Sequence, residues 1–467
     1  MFFNSSGFLL FFLAVLAFYY LPFSWRQKKV MLLLASYIFY GLWNPPLVLL
    51  LLASTLVDWI AGNQLYRIKD DRNRKWWIFL SLAVNLGFLG FFKYGEFLME
   101  NFTWLVNQIG WDYQAPAWDI ILPMGISFYT FQTLSYSLDL YYRKIQPART
   151  FLDFALYVTF FPQLVAGPIV RSEELVGQFY EPKRATWNQF SWGIFLLTLG
   201  LFEKTVLADS LLASTAEKVF NTGSGMLPLD AWTGVLAFSG QIFFDFAGYS
   251  LCAIGIAHTL GMDLPLNFRF PYAATGFSDF WRRWHITLST WLRDYLYIPL
   301  GGNRSGLVRT YINLMLTMLL GGLWHGAAWT FIVWGGLHGL YLSVERFMRS
   351  RKLLLRESIL TALGTFFFVN ITWVFFRAED FKSAGDMLKS MFFLAENGKA
   401  VLETSYLLVV WIVIALLFAG HWIFRHSNLE TIASKVPWWV LGGIWGFMLF
   451  ATLISQASGA QFIYFQF

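Results

Sequence analysis

One cysteine, Cys252, stands among 467 residues. That excludes an intrachain disulfide and any cysteine-based metal site, and its apolar surroundings make it a small buried hydrophobe. Charge is scarce as well. Only 13% of residues are Asp, Glu, Lys or Arg, against about 25% in soluble domains. So little charge excludes an ordinary soluble enzyme and a disordered chain. Gly and Pro, at 37 and 14 residues, follow no period, which excludes collagen-like and low-complexity architectures. Neither a His-Glu-x-x-His motif nor an acidic cluster occurs, so no metal site is expected. Internal repeats and linkers are also missing, and 1–467 reads as a single membrane domain.

What is present in excess is apolar. Such residues make up 57% of the chain and aromatics 20%, with 50 Phe and 23 Trp, and the mean hydropathy is +0.52. Apolar runs recur at 8–22, 30–65, 76–92, 119–142, 151–170, 188–203, 231–258, 311–344, 359–376, 405–424 and 437–455. A bilayer-crossing helix needs about 20 such residues, and only helices or closed barrels satisfy their backbone there. The runs are long and do not alternate, which predicts an all-α polytopic membrane protein with about 11 to 13 passes, some re-entrant. Asn44-Pro45-Pro46 splits 30–65 into two spans, and 311–344 is expected to break at Gly321-Gly322. The first run precedes the basic stretch Arg26–Lys29, the reverse of a cleaved signal, so it is retained with its N-terminus outside.

With that threading, the loops 24–29, 66–75, 143–150, 171–186, 260–310, 346–356 and 425–436 lie inside and hold 27 of the 34 basic residues. This is the positive-inside pattern. The net charge of +6 is therefore a topology signal, and no nucleic-acid partner is expected; the partner of the apolar surface is membrane lipid. The polar segment 378–404 is expected along the outer interface, and the C-terminus, after 455, is also outside.

Polar groups within apolar runs are functional candidates. Of six histidines, His421, His426 and His258 fall near inner membrane ends, where snorkelling or capping accounts for them. His325 lies mid-run in Gly321-Gly322-Leu323-Trp324-His325-Gly326. A buried neutral imidazole can serve as a general base, or it is a satisfied core histidine. His338 lies 13 residues on, at the inner end of the run. The block 278–304 collects His285, Arg282, Arg283, Arg293 and Arg304 with three Trp and two Tyr. Arginine forks suit a phosphate-bearing donor; the alternative is an amphipathic helix on anionic lipid at the inner surface. Asp139, Gln163 and Asp245 are further polar residues in apolar context, and Asp245 is expected to pair with an arginine or histidine.

Several motifs stand in order along the chain: Ala35-Ser36-Tyr37-Ile38-Phe39-Tyr40, Leu122-Pro123-Met124-Gly125-Ile126-Ser127-Phe128-Tyr129, Phe161-Pro162-Gln163-Leu164-Val165-Ala166-Gly167-Pro168, Phe244-Asp245-Phe246-Ala247-Gly248-Tyr249-Ser250, the Trp281-to-Arg304 block, and Gly321-Gly322-Leu323-Trp324-His325-Gly326. Through them the chain resembles the membrane-bound O-acyltransferase superfamily, in its bacterial polysaccharide O-acetylation branch, which includes alginate O-acetylation. The ending Pro299-Leu300-Gly301-Gly302-Asn303-Arg304 is closer to that branch than to the teichoic-acid D-alanylation branch. The resemblance implies a ring of tilted helices around a thin centre, with a tunnel from a cytoplasmic funnel to the outer face. It implies location in the bacterial inner membrane. The implied reaction is acetyl transfer from a cytoplasmic thioester, acetyl-CoA, toward an extracytoplasmic polysaccharide hydroxyl, with no tightly bound cofactor. His325 matches the family's essential histidine and His285 its second motif histidine. Trp324, Asp245, Arg282, Arg283 and Arg293 are the donor- and tunnel-lining candidates.

The chain ends Gln461-Phe462-Ile463-Tyr464-Phe465-Gln466-Phe467. This resembles the C-terminal motif of the partner peptide in D-alanylation systems. By that likeness Tyr464 is an acyl relay that hands acetyl to a separate extracytoplasmic acetyltransferase; otherwise the tail is an interfacial anchor. Two other classes compete. A transporter or polymer-export channel without chemistry would more often carry paired broken helices in repeated halves, and a lipid- or protein-directed acyltransferase differs in its motif endings.

Overall fold

The computed structural model describes residues 2–116, 120–304, 306–353, 356–394 and 398–455. Their regular structure is helical; one isolated bridge, Met226 with Lys399, is the sole β pairing among them. Seven described helices are long and apolar enough to cross a membrane: Leu47–Arg67, Asp71–Gln108, Pro228–Thr259, Leu307–His325, Ile359–Arg377, Thr404–Phe424 and Trp438–Ser455. Ser6–Tyr20 is a shorter apolar helix. The protein is a multi-span membrane protein. Its residues gather into two compact units, Met1–Gly193 with Ile256–Pro265 and Gly326–Ala328, and Ile194–Gly255 with Leu266–His325 and Trp329–Phe467.

In the first unit, local sequence sets the helix ends. Ser5 caps Ser6–Tyr20 by accepting from the Phe8 N–H, and Ser24 with Gln27 forms a capping box on Trp25–Gly41. Pro45 and Pro46 end that hairpin arm as expected, and Leu47–Arg67 follows. The run at 76–92 proves to be part of a much longer helix, Asp71–Gln108. Its 38 residues give about 57 Å at 1.5 Å each. The sequence reading stopped short because polar residues such as Lys93, Glu96 and Asn101 interrupt the apolar pattern without breaking the helix.

Three helices of this unit, Leu47–Arg67, Asp71–Gln108 and Ile126–Tyr141, are tied by a buried carboxylate. Asp58 accepts hydrogen bonds from the Ser81 hydroxyl at 2.6 Å and from the Asn85 amide at 2.8 Å. Ser54 and Thr133 donate in turn to the Asn85 carbonyl oxygen at 2.8 and 3.2 Å. The neutral donors disperse the charge, which lipid could not do. Lys29 is ion-paired with Asp153, which also accepts from Thr150. Asp139 is paired with Lys144 at 3.4 Å, and the Gln163 amide donates to the Tyr157 carbonyl at 3.0 Å.

In the second unit, Leu307–His325 and Trp329–Ser350 pack backbone to backbone. A Cβ on Gly322 would sit 2.2 Å from the Phe331 carbonyl oxygen, and one on Gly335 would sit 2.2 Å from that of Met318. Gly321-Gly322 therefore does not break the helix, contrary to the sequence expectation. These positions remain helical, and the chain breaks after His325 instead. Gly200 and Gly248 make a second close crossing, each blocked at 2.4–2.6 Å by the other's carbonyl oxygen. It brings Lys204, at the start of a π-helical stretch Glu203–Ala213, to Asp245.

The segment expected along the outer interface contains the helix Phe381–Met391. Its Ala384, Met387 and Met391 are buried with Val219, Ala231, Val235 and Val374. His421 is also more deeply placed than a snorkelling residue. It is 6% exposed, and its Nδ1 accepts the Tyr272 backbone N–H at 3.3 Å.

Replacing Gly335 by Ala forces the two helices apart. We expect a loss of about 1–3 kcal/mol, read as a lower thermal midpoint of the detergent-purified protein. Gly364→Ala, where a Cβ meets nothing within 4 Å, should leave the midpoint unchanged.

Candidate active site

His325 ends the helix Leu307–His325 and is 3% exposed. Three rings stand against it: Trp324 and Trp334, each at 5.0 Å between ring centroids, and Phe376 at 5.4 Å. Each comes to the imidazole edge-on, at interplanar angles of 84°, 81° and 68°, as aromatic quadrupoles prefer. Trp334 belongs to Trp329–Ser350 and Phe376 to Ile359–Arg377, so three elements enclose one histidine.

His285 arrives from a different part of the sequence. It lies between the spans ending at Thr259 and starting at Leu307, where the chain makes short helices at Phe277–Trp281 and Ile286–Leu292. The segment is not a surface amphipathic helix: Trp284, His285, Leu288, Trp291 and Leu292 are buried. His285 itself has a left-handed backbone, φ 41°, a strained state for a residue with a side chain. That turn is held by Asn267. Its backbone carbonyl accepts from the Ile286 N–H at 2.9 Å, and its side-chain Oδ1 accepts from the Thr287 N–H at 3.3 Å and hydroxyl at 2.9 Å.

The same Oδ1 lies 3.1 Å from His285 Nδ1. An atom already accepting from a backbone N–H faces Nδ1 as an acceptor, so Nδ1 carries the proton and Nε2 the lone pair. Burial pushes the His285 pKa down to about 3, which keeps the ring neutral. Its centroid is 6.3 Å from that of His325, 5.8 Å from Trp324 and 4.7 Å from Phe246. Two histidines 40 positions apart in sequence thus share one buried aromatic chamber.

The remaining candidates divide. Trp324 packs against both histidines. Asp245 is ion-paired with Lys204, which also holds Asp209 at 2.9 Å; a lysine takes the place where an arginine or histidine was expected. Arg283 is tied to Asp279 at 2.9 Å and to the Arg425 carbonyl at 2.9 Å, a structural use. Arg293 is exposed and forked onto both oxygens of Asp294. Arg282 is exposed and donates to the Ser278 hydroxyl at 3.3 Å. His338 packs behind Trp334 at 4.8 Å, with Nε2 3.0 Å from the Thr372 hydroxyl. Tyr464 lies outside the described residues.

Sequence reasoning missed Asn267, Lys204 and Trp334. Asn267 sits in Leu266-Asn267-Phe268-Arg269-Phe270, a loop with no periodicity, and its side-chain partners are 17 to 20 residues away. The one signal for Lys204 was that Asp245 required a cation.

The model of the membrane-bound O-acyltransferase family matches residues 75–378, a stretch that contains His285, His325, Asn267 and Trp334. The chain belongs to the membrane-bound O-acyltransferase family. It is an O-acyltransferase. Among its relatives, a protein of Pseudomonas aeruginosa named as a probable alginate O-acetylase is 40% identical over 448 residues, 93% of this chain and 84% of that one. A peptidoglycan O-acetyltransferase of Helicobacter pylori is 40% identical over 406 residues, 81% of this chain and 76% of that one. A teichoic acid D-alanyltransferase of Streptococcus thermophilus is 28% identical over 246 residues, 49% of this chain and 58% of that one.

Asn267 positions the His285 imidazole without being a source of protons itself. Asn267→Ala should lower the acyl-transfer rate about 10- to 100-fold with little change in donor KM. Steady-state kinetics in membranes check the split; an equal rise in KM would argue for a general loss of structure.

Proposed function

We propose that this acyltransferase takes acetyl from a cytoplasmic thioester, acetyl-CoA, and delivers it to a hydroxyl of an extracytoplasmic polysaccharide at the bacterial inner membrane. The observation that carries the reading is the convergence of His285 and His325 in one buried chamber. The names of the two 40%-identical relatives, one for alginate and one for peptidoglycan, support a polysaccharide as the final acceptor.

In this reading His325 is the general base. The attacking hydroxyl gives its proton to the imidazole as its oxygen bonds to the thioester carbonyl carbon. The carbon–sulfur bond then breaks, and the proton passes from His325 to the departing thiolate. Such proton transfer contributes roughly 10²–10⁴ in rate. His285, with Nε2 as its lone-pair nitrogen, orients the reacting groups from beside His325. Arg282 is the exposed fork that meets the donor's phosphates. Tyr464 is the relay whose phenol carries acetyl to a separate extracytoplasmic acetyltransferase.

Membranes containing the protein and radiolabelled acetyl-CoA test each role. Wild type should release CoA and retain label on the C-terminal peptide. His325→Ala should slow release by about 10²–10⁴; undiminished release would remove His325 from the chemistry. Tyr464→Phe keeps the aromatic ring and should abolish retained label, whereas unchanged labelling would end the relay.

A further inference from the structure

The helices Ser6–Tyr20 and Trp25–Gly41 leave a cleft of about 510 Å³ between them, within the size range of small-molecule sites. Its floor is Val15 and Ala35, both buried, and Ala14 beside them leaves room above it. Phe18, Leu34 and Ile38 form walls that are 52–57% exposed. Polar groups occur at one end only, as Arg26 and Gln27. The Gln27 Oε1 is occupied by the Ser24 N–H and hydroxyl. Arg26 is exposed and has no ion pair among the described residues.

From Gln27 to Ile38 the wall advances 11 residues along a helix, about 16 Å. That is close to half of the ~30 Å hydrocarbon core, so the cleft is as deep as one leaflet. An apolar trough of one leaflet's depth, with a free guanidinium at its headgroup end, has the chemistry of a phospholipid: chain below, phosphate above. We propose that this cleft is a specific site for one acyl chain of an anionic glycerophospholipid, with Arg26 on the phosphate. It is a lipid site apart from the histidine chamber and does not depend on the acyl-transfer reading.

The test uses the full chain in phosphatidylcholine nanodiscs doped with a phosphatidylglycerol that carries a photoreactive group in its acyl chain. Crosslinks should map to residues 11–18 and 30–38. Unlabelled phosphatidylglycerol should compete them away, while added phosphatidylcholine or inorganic phosphate should not. Arg26→Gln should weaken competition about fivefold and Arg26→Lys should restore most of it. Leu34→Trp, which fills the cleft from its exposed wall, should remove these crosslinks from protein with an unchanged thermal midpoint. Equal competition by phosphatidylcholine would mean bulk lipid only and overturn the proposal, as would competition by phosphate alone, crosslinks elsewhere, or an Arg26→Gln protein indistinguishable from wild type.

Discussion

The contact between Gly322 and Gly335 is the constraint on which the chamber depends. Lipid offers no hydrophobic drive to pull two helices together, so close packing has to come from small residues that let backbones touch. Here the contact does more than hold a helix pair. It fixes the end of Leu307–His325 against Trp329–Ser350, and so sets His325 against Trp334 across the intervening break. A side chain at either glycine would move the catalytic candidate and its wall together.

In the rest of the polar interior, several charges have their compensation nearby. Lys204 holds Asp245 and Asp209, Lys29 holds Asp153, and Asp58 is surrounded by hydroxyl and amide donors. The histidine chamber is built differently. Its walls are aromatic, and on the His285 side the Asn267 side-chain Oδ1 supports the ring. Burial disfavours the charged form of the His285 ring, because an aromatic wall does not replace the lost water.

How much of this was legible in the sequence follows from the range of the forces involved. Apolar run lengths and Pro45-Pro46 revealed the helices because they act over a few neighbouring residues. His325 was visible because a polar ring between glycines is conspicuous in an apolar run. Its pairing with His285 was reachable only through the family's motifs. The role of Asn267 was not legible at all: it depends on a fold-back that joins positions 267 and 285, and an asparagine in an irregular loop has many uses. Gly321-Gly322 was misread as a break because glycine weakens a helix in water. Where a neighbouring backbone occupies the space a Cβ would need, the same residue is what the helix pair requires.

The left-handed backbone of His285 has a consequence for how that position can be interrogated. Alanine there would lose the ring and still have to bear the strained dihedral, so a dead alanine variant would mix imidazole chemistry with a relaxed turn. Asparagine and glycine accept this conformation more readily. Either one would retain the turn that Asn267 clasps while deleting the imidazole, and so would separate what the ring does from what the bend in the chain does.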